Sequence, residues 1–246
     1  METSPQEISF VSVVTNVFSS PSVAASSIRD GKPSTTTWLV PLLLTCAIVG
    51  LFSYLFATNP TFHQQLSDIQ SEQFQKSVQA GKMTQEQADQ ARDQFEKLSP
   101  AIFVVFGTIG GSIFIAFFFF GGTLVLWLIG KFALNATQGY GKYLELYGSA
   151  AMIGFLGSII TLMMMIGLNT MYASPSAALA VLSEFDPSMK LHKLLAAANV
   201  FSIWEASYIG IGLSKFSGKS TGVGIGIGIA LLVLWSIIAV MLNIGR

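Results

Sequence analysis

Residues Ala101–Gly130 read AIFVVFGTIGGSIFIAFFFFGGTLVLWLIG, an uncharged run closed by Lys131. A bilayer's hydrocarbon core is about 30 Å thick and takes about 20 apolar helical residues to cross. The run exceeds one crossing, so it is either tilted or begins outside the core. Lipid is therefore the solvent in which the rest of the chain has to be read.

Composition agrees. Of 246 residues, 52% are hydrophobic and 11% charged, with a mean hydropathy of +0.61. Soluble domains carry about a quarter charged residues. Lys plus Arg and Asp plus Glu balance at 13 each, which leaves no basic field to attract nucleic acid. One cysteine, Cys46, excludes an internal disulfide or a thiolate metal cluster.

Working outward from residues 101–130, similar runs fall at about 37–58, 144–171, 194–213 and 223–242. Trp38 stands where an interfacial aromatic belongs. The predicted fold class is an all-α integral membrane protein, a five-span transmembrane helical bundle forming one domain over residues 1–246. The 194–213 run is the poorest in strong hydrophobes and holds Asn199 and Glu205.

The flanks have their own patterns. METSPQEISF carries two glutamates and no basic n-region, so it does not read as a cleaved signal peptide. Ile8, Val11, Val14 and Val17 or Phe18 recur at helical spacing, Ser20-Pro21 breaks the chain, and Val23, Ala24 and Ile28 follow. The expectation is a pair of N-terminal interfacial amphipathic helices. Residues 59–100 form the one large polar insertion, read as an extramembrane helical hairpin between spans one and two. Leu66, Ile69, Phe74 and Val78 stripe its first arm, with Gly81 as a left-handed cap. Thr84-Gln85-Glu86-Gln87 is a capping-box pattern opening the second arm, where Ala88, Ala91, Phe95 and Leu98 share a face. Its acidic stripe, Glu86, Asp89, Asp93 and Glu96, suits either a solvated face or a basic partner.

Orientation follows from the short loops. With the N-terminus inside, Arg29, Lys32, Lys131, Lys142, Lys215 and Lys219 lie inside. Lys76, Lys82, Arg92, Lys97, Lys190, Lys193 and Arg246 lie outside, mostly in longer loops that also hold acids. The positive-inside rule weights short loops, which favours a cytoplasmic N-terminus.

The parts of intramembrane catalysis are missing. His63 and His192 stand outside or at the edge of the spans, and every aspartate lies outside them, so neither a serine–histidine nor an aspartyl protease pattern forms. Two histidines and one cysteine, far apart, do not make a zinc site. Gly222, Gly224, Gly226 and Gly228 recur every second residue, unlike a dinucleotide-binding loop. They form two GxxxG pairs suited to close helix packing, within the bundle or between copies. No catalytic residue, metal or cofactor is expected. Glu205 is the one strong intramembrane ionisable candidate, with Asn199 and Trp204 as neighbours on its span. Such residues count as functional hypotheses by default. Three readings stand: a tether hydrogen-bonded to a neighbouring helix, a proton or cation site, or a span boundary that leaves Glu205 in water.

Two stretches carry a family resemblance. NVFSSPSVAASSIRDGKPSTTTWLVPLLL (Asn16–Leu44) and FSIWEASYIGIGLSKFSGKSTGVGIGIGIALLVLW (Phe201–Trp235) resemble the Yip-one domain family, the Ypt/Rab-interacting-protein-like membrane proteins. The likeness covers about residues 10–242, and the GKMTQEQADQ insertion looks like that of bacterial members. It implies five spans, a cytoplasmic N-terminus and a bacterial cytoplasmic membrane, or Golgi and ER membranes if eukaryotic. Eukaryotic relatives bind Rab-type GTPases through a long cytosolic N-terminal region. This chain has about 36 residues before its first span and lacks the family's Asp-Leu-Tyr-Gly-Pro motif. Glu145-Leu146-Tyr147-Gly148-Ser149 is a partial echo that opens the third span instead. Rab-type binding is therefore not carried over. The functional reading is a non-enzymatic, membrane-organising scaffold acting through homo- or hetero-oligomers within the lipid bilayer. The alternatives are a small proton- or ion-coupled transporter using Glu205, and an envelope sensor binding a partner through the hairpin at residues 62–98.

Overall fold

Most helices of the computed structural model, which describes residues 9–242, begin or end where a residue with a local backbone preference stands. In chain order come α1 (Phe10–Ser19), α2 (Pro21–Asp30), α3 (Thr36–Thr58), α4 (Pro60–Gln79) and α5 (Gln85–Glu96). Then follow α6 (Pro100–Leu128) with a π-helical turn (Ile129–Ala133), α7 (Tyr140–Leu168), a 3-10 segment (Ala177–Glu184), α8 (Lys190–Ala197), α9 (Val200–Ser217) and α10 (Thr221–Leu242). Ile8 and Arg246 lie outside the described residues. By length and composition α3, α6 with its π turn, α7 and α10 can each cross a membrane; α9, with Glu205 and Lys215 in 18 residues, is not among those four.

Two asparagines reset the expected span limits. Asn169 takes a left-handed φ of 52° at the end of α7, a conformation asparagine tolerates better than most residues. The helix therefore stops at Leu168, short of the expected Met171. Asn199 caps α9, its side chain accepting the Phe201 N–H at 2.9 Å. Leu194–Ala197, expected inside the fourth run, belong instead to α8, and α9 continues to Ser217. At the start of α6, Pro100 follows the Ser99 cap, where its missing N–H costs nothing.

Glycines set how closely the helices approach. Along α7 and α9 the facing pairs are Leu146 with Gly212, Ser149 with Tyr208, Gly154 with Glu205, and Gly157 with Phe201. Partner numbers fall as α7 rises, so the seam is antiparallel. Gly224 and Gly228 of α10 lie against the backbone of Gly210 and Ala206 of α9, again antiparallel. On α3, Pro41 cannot donate to the Thr37 carbonyl, and Gly148 of α7 sits against that carbonyl and Trp38.

Only part of the stripe predicted to lie in the interface is turned onto protein: Val17, Ala24 and Ile28 are, with Val13 beside them, while Val11 and Val23 stay exposed. Val13, Val17, Ala24 and Ile28 are buried in one core with Tyr143, Leu146, Ala150 and Ile153 of α7 and Tyr208, Leu213 and Phe216 of α9. Phe18 meets the Trp204 ring edge-on, with centroids 5.6 Å apart. At the other end Arg29 donates to the Lys215 carbonyl at 3.2 Å. Arg29 also holds the neighbouring Asp30 carboxyl below its usual range through a hydrogen bond at 2.7 Å.

α4 and α5 branch from the opposite end. Thr84 and Gln87 form the reciprocal capping box, and Gly81 adopts φ 68° between the arms. His63 stacks on Phe95 with centroids 5.8 Å apart. Phe62 is buried with Met165 and Ala173, and the Gln65 side chain accepts the Met171 N–H at 2.9 Å. The base of α4 is thereby fastened to the ends of α3 and α7.

Candidate functional site: the Glu205 cleft and the α7 opening

Glu205 stands on α9 where α7 offers Gly154. A Cβ built on Gly154 would lie 3.0 Å from Glu205 Oε2, so the absent side chain makes the room that the carboxyl group occupies. The carboxyl faces a cleft of about 260 Å3 between α3, α6, α7 and α9. Leu42 and Thr45 come from α3, Phe114, Ile115, Phe118 and Phe119 from α6, and Tyr147, Ala151, Gly154, Phe155 and Ser158 from α7. The walls are chiefly aromatic and aliphatic, with the polar groups of Thr45, Tyr147, Ser158 and Glu205 among them.

The three residues picked out around Glu205 do not converge. Asn199 is spent on the helix cap. Trp204 points away from the cleft, toward Phe18 and Phe201. The four glycines of α10 divide the same way: a side chain built on Gly224 or Gly228 strikes the α9 backbone, while one built on Gly222 or Gly226 meets open space. Residues two apart on a helix point in nearly opposite directions, so the run has one face for α9 and another turned outward.

A segment read only as a partial echo organises the bundle. In Glu145-Leu146-Tyr147-Gly148-Ser149 each side chain meets a different neighbour. Glu145, 3% exposed, pairs with Lys142, 13% exposed, at 3.1 Å. Leu146 fills the space beside Gly212, Tyr147 lies against Gly122 and lines the cleft, and Gly148 admits α3. Ser149 Oγ lies 2.9 Å from Tyr208 Oη and donates its own proton to the Leu146 carbonyl. Tyr208 is thus the donor of the pair. Replacing Tyr208 by Phe leaves Ser149 partnered, so the expected loss is about 0.6–1 kcal/mol, read as a lower unfolding midpoint in detergent. A loss above about 3 kcal/mol would show that the hydroxyl holds more than Ser149.

Among the described residues no group of three or more His, Cys, Asp or Glu side chains is placed to hold a metal ion. Among the described residues two buried polar atoms, Gln138 Oε1 and Tyr143 Oη, have no hydrogen-bond partner, and Tyr143 Oη lies tightly against Gly130 in the π turn.

A family model described as Yip1 domain matches residues 15–242, nearly the whole chain. No curated protein and no solved structure matches it.

Proposed function

The chain belongs to the Yip1 domain family, and from that premise we propose that this membrane protein is a non-enzymatic, five-span scaffold that organises its membrane through helix and partner contacts. The observation that carries this reading is the packing of α9. On one side it meets α10 backbone to backbone at Gly210, Gly224 and Gly228. On the other, the side chains of Leu146, Ser149 and Glu205 interlock with the facing helix. α9 is about 27 Å long and lies antiparallel between α7 and α10, which supports counting it as the fourth of five spans although it is polar for one. α10, α7 and α2 pack against the helix that carries Glu205, and its carboxyl faces the cleft rather than the open flank of that helix. The N-terminus is assigned to the cytoplasm, with the α4–α5 hairpin on the opposite side of a bacterial cytoplasmic membrane. The outward Gly222 and Gly226 face suits a neighbouring span.

The rival reading, a proton- or ion-coupled transporter, needs a polar path, and the Glu205 cleft is walled mainly by Leu, Ile, Ala and Phe. Proteoliposome flux decides between the two. The scaffold reading expects no proton or cation flux from wild type or from Glu205→Gln, with both proteins folded. Flux in wild type that Glu205→Gln abolishes sinks it.

A further inference from the structure

The Glu205 cleft is rich in acceptors. Thr45 donates its hydroxyl proton to the Pro41 carbonyl at 2.8 Å, and Ser158 donates its proton to the Gly154 carbonyl at 2.9 Å. A hydroxyl has one proton and two lone pairs, so at this cleft both groups are left as acceptors. The Glu205 carboxyl adds two more oxygens, and Tyr147 adds a hydroxyl that works either way. No Lys or Arg is among the lining residues. Lys142 is paired with Glu145, and Lys215 stands in the last turn of α9.

The walls add a second preference. Phe114, Phe118, Phe119, Tyr147 and Phe155 line the cleft that the carboxyl faces, and aromatic faces attract cations, most strongly where water is excluded. The opening is lateral. Phe114 both lines the cleft and is 47% exposed on the outer face of α6, where a span meets acyl chains. At about 30 Å3 per water volume, 260 Å3 holds a small polar head and a few methylenes, with the rest of a chain lying outward along α6.

We propose that this cleft is a binding site for a lipophilic primary amine, whose ammonium group is held by Glu205, Thr45 and Ser158 and whose hydrocarbon chain leaves between the phenylalanines of α6. An ammonium has three donors and no acceptor, which complements this set of oxygens. A fatty acid brings a second carboxylate against Glu205, and an alcohol brings one donor and no charge.

The test uses the full-length protein in lipid nanodiscs at neutral pH with dodecylamine as probe, beside dodecanol and dodecanoic acid, read by the thermal unfolding midpoint as a function of probe concentration. The expected result is a saturable stabilisation by dodecylamine alone. Glu205→Gln should need at least a tenfold higher concentration for half the effect. Ser158→Ala, which removes one acceptor and leaves the carboxylate and fold intact, should need several-fold more. Equal response of wild type and both variants to dodecylamine means partition into lipid and overturns the site. Equal stabilisation by dodecanol means that a neutral donor suffices and overturns the ammonium assignment. Should Glu205→Gln fail to fold, an unchanged Ser158→Ala titration alone overturns the proposal.

Discussion

Leucine at Gly224 or Gly228 is expected to break the bundle, with a loss of more than about 3 kcal/mol, beyond the 1–3 kcal/mol typical of overpacked cores. The reason is what the new side chain meets. At Gly224 the obstacle is the Gly210 carbonyl oxygen, and at Gly228 it is the Ala206 carbonyl oxygen. A flexible side chain can rotate out of the way, whereas helix backbone moves only with its whole helix. Separating α9 from α10 loses the dispersion contacts and close approach that hold helices together where lipid supplies no hydrophobic drive. The matched controls are Gly222→Leu and Gly226→Leu on the same helix. Their built Cβ atoms meet nothing within 4 Å, so the expected change is below about 0.5 kcal/mol. Unfolding midpoints of the four purified variants in a mild detergent check the contrast. Similar damage at all four positions would mean that α10 presents a different face to α9.

The same four glycines show what could be read before the fold was known. Their spacing announced two packing faces, since i and i+4 share a side and i+2 lies opposite. Which face meets α9 depends on the rotation of α10 about its own axis, and no local pattern encodes that. Long apolar runs marked α3, α6, α7 and α10 because an uncharged stretch of that length has few other uses. Helix ends were harder, since single asparagines at 169 and 199 fall inside apolar windows that average them away. Glu205 stood out by its cost in lipid. Its companions Gly154, Tyr147 and Ser158 lie on α7 about fifty residues earlier and come to it only through the antiparallel register of two helices. The α1–α2 stripe was periodic enough to predict helices. A stripe of Val, Ala and Ile looks the same whether it faces lipid or Tyr143 and Phe216. Glu145-Leu146-Tyr147-Gly148-Ser149 looked weak because its residues are ordinary one by one; their weight comes from meeting α3, α6 and α9 within about one and a half turns.

Glu145→Leu is the second substitution expected to cost heavily, about 2–4 kcal/mol. Removing one member of a buried ion pair strands the other, at about 3–5 kcal/mol when burial is complete. Lys142, 13% exposed, recovers part of this by extending its ammonium toward water. Glu145 has a second duty, since its carboxylate also accepts a backbone hydrogen bond from Ser34 in the link between α2 and α3. The single variant therefore has a global and a local consequence. Globally, the unfolding midpoint falls. Locally, the Ser34 amide loses its acceptor, and hydrogen exchange should quicken over residues 31–35 while the α9–α10 seam stays protected. The double variant Lys142→Met with Glu145→Leu separates the two. Replacing both charges by apolar groups of similar size is often close to neutral, so most of the midpoint should return. Ser34 exchange should stay fast, because no acceptor has been restored. A double variant as unstable as the single one would show that the stranded lysine is not the source of the cost. An unchanged Ser34 exchange rate in Glu145→Leu would show that α7 does not anchor the α2–α3 link through this carboxylate.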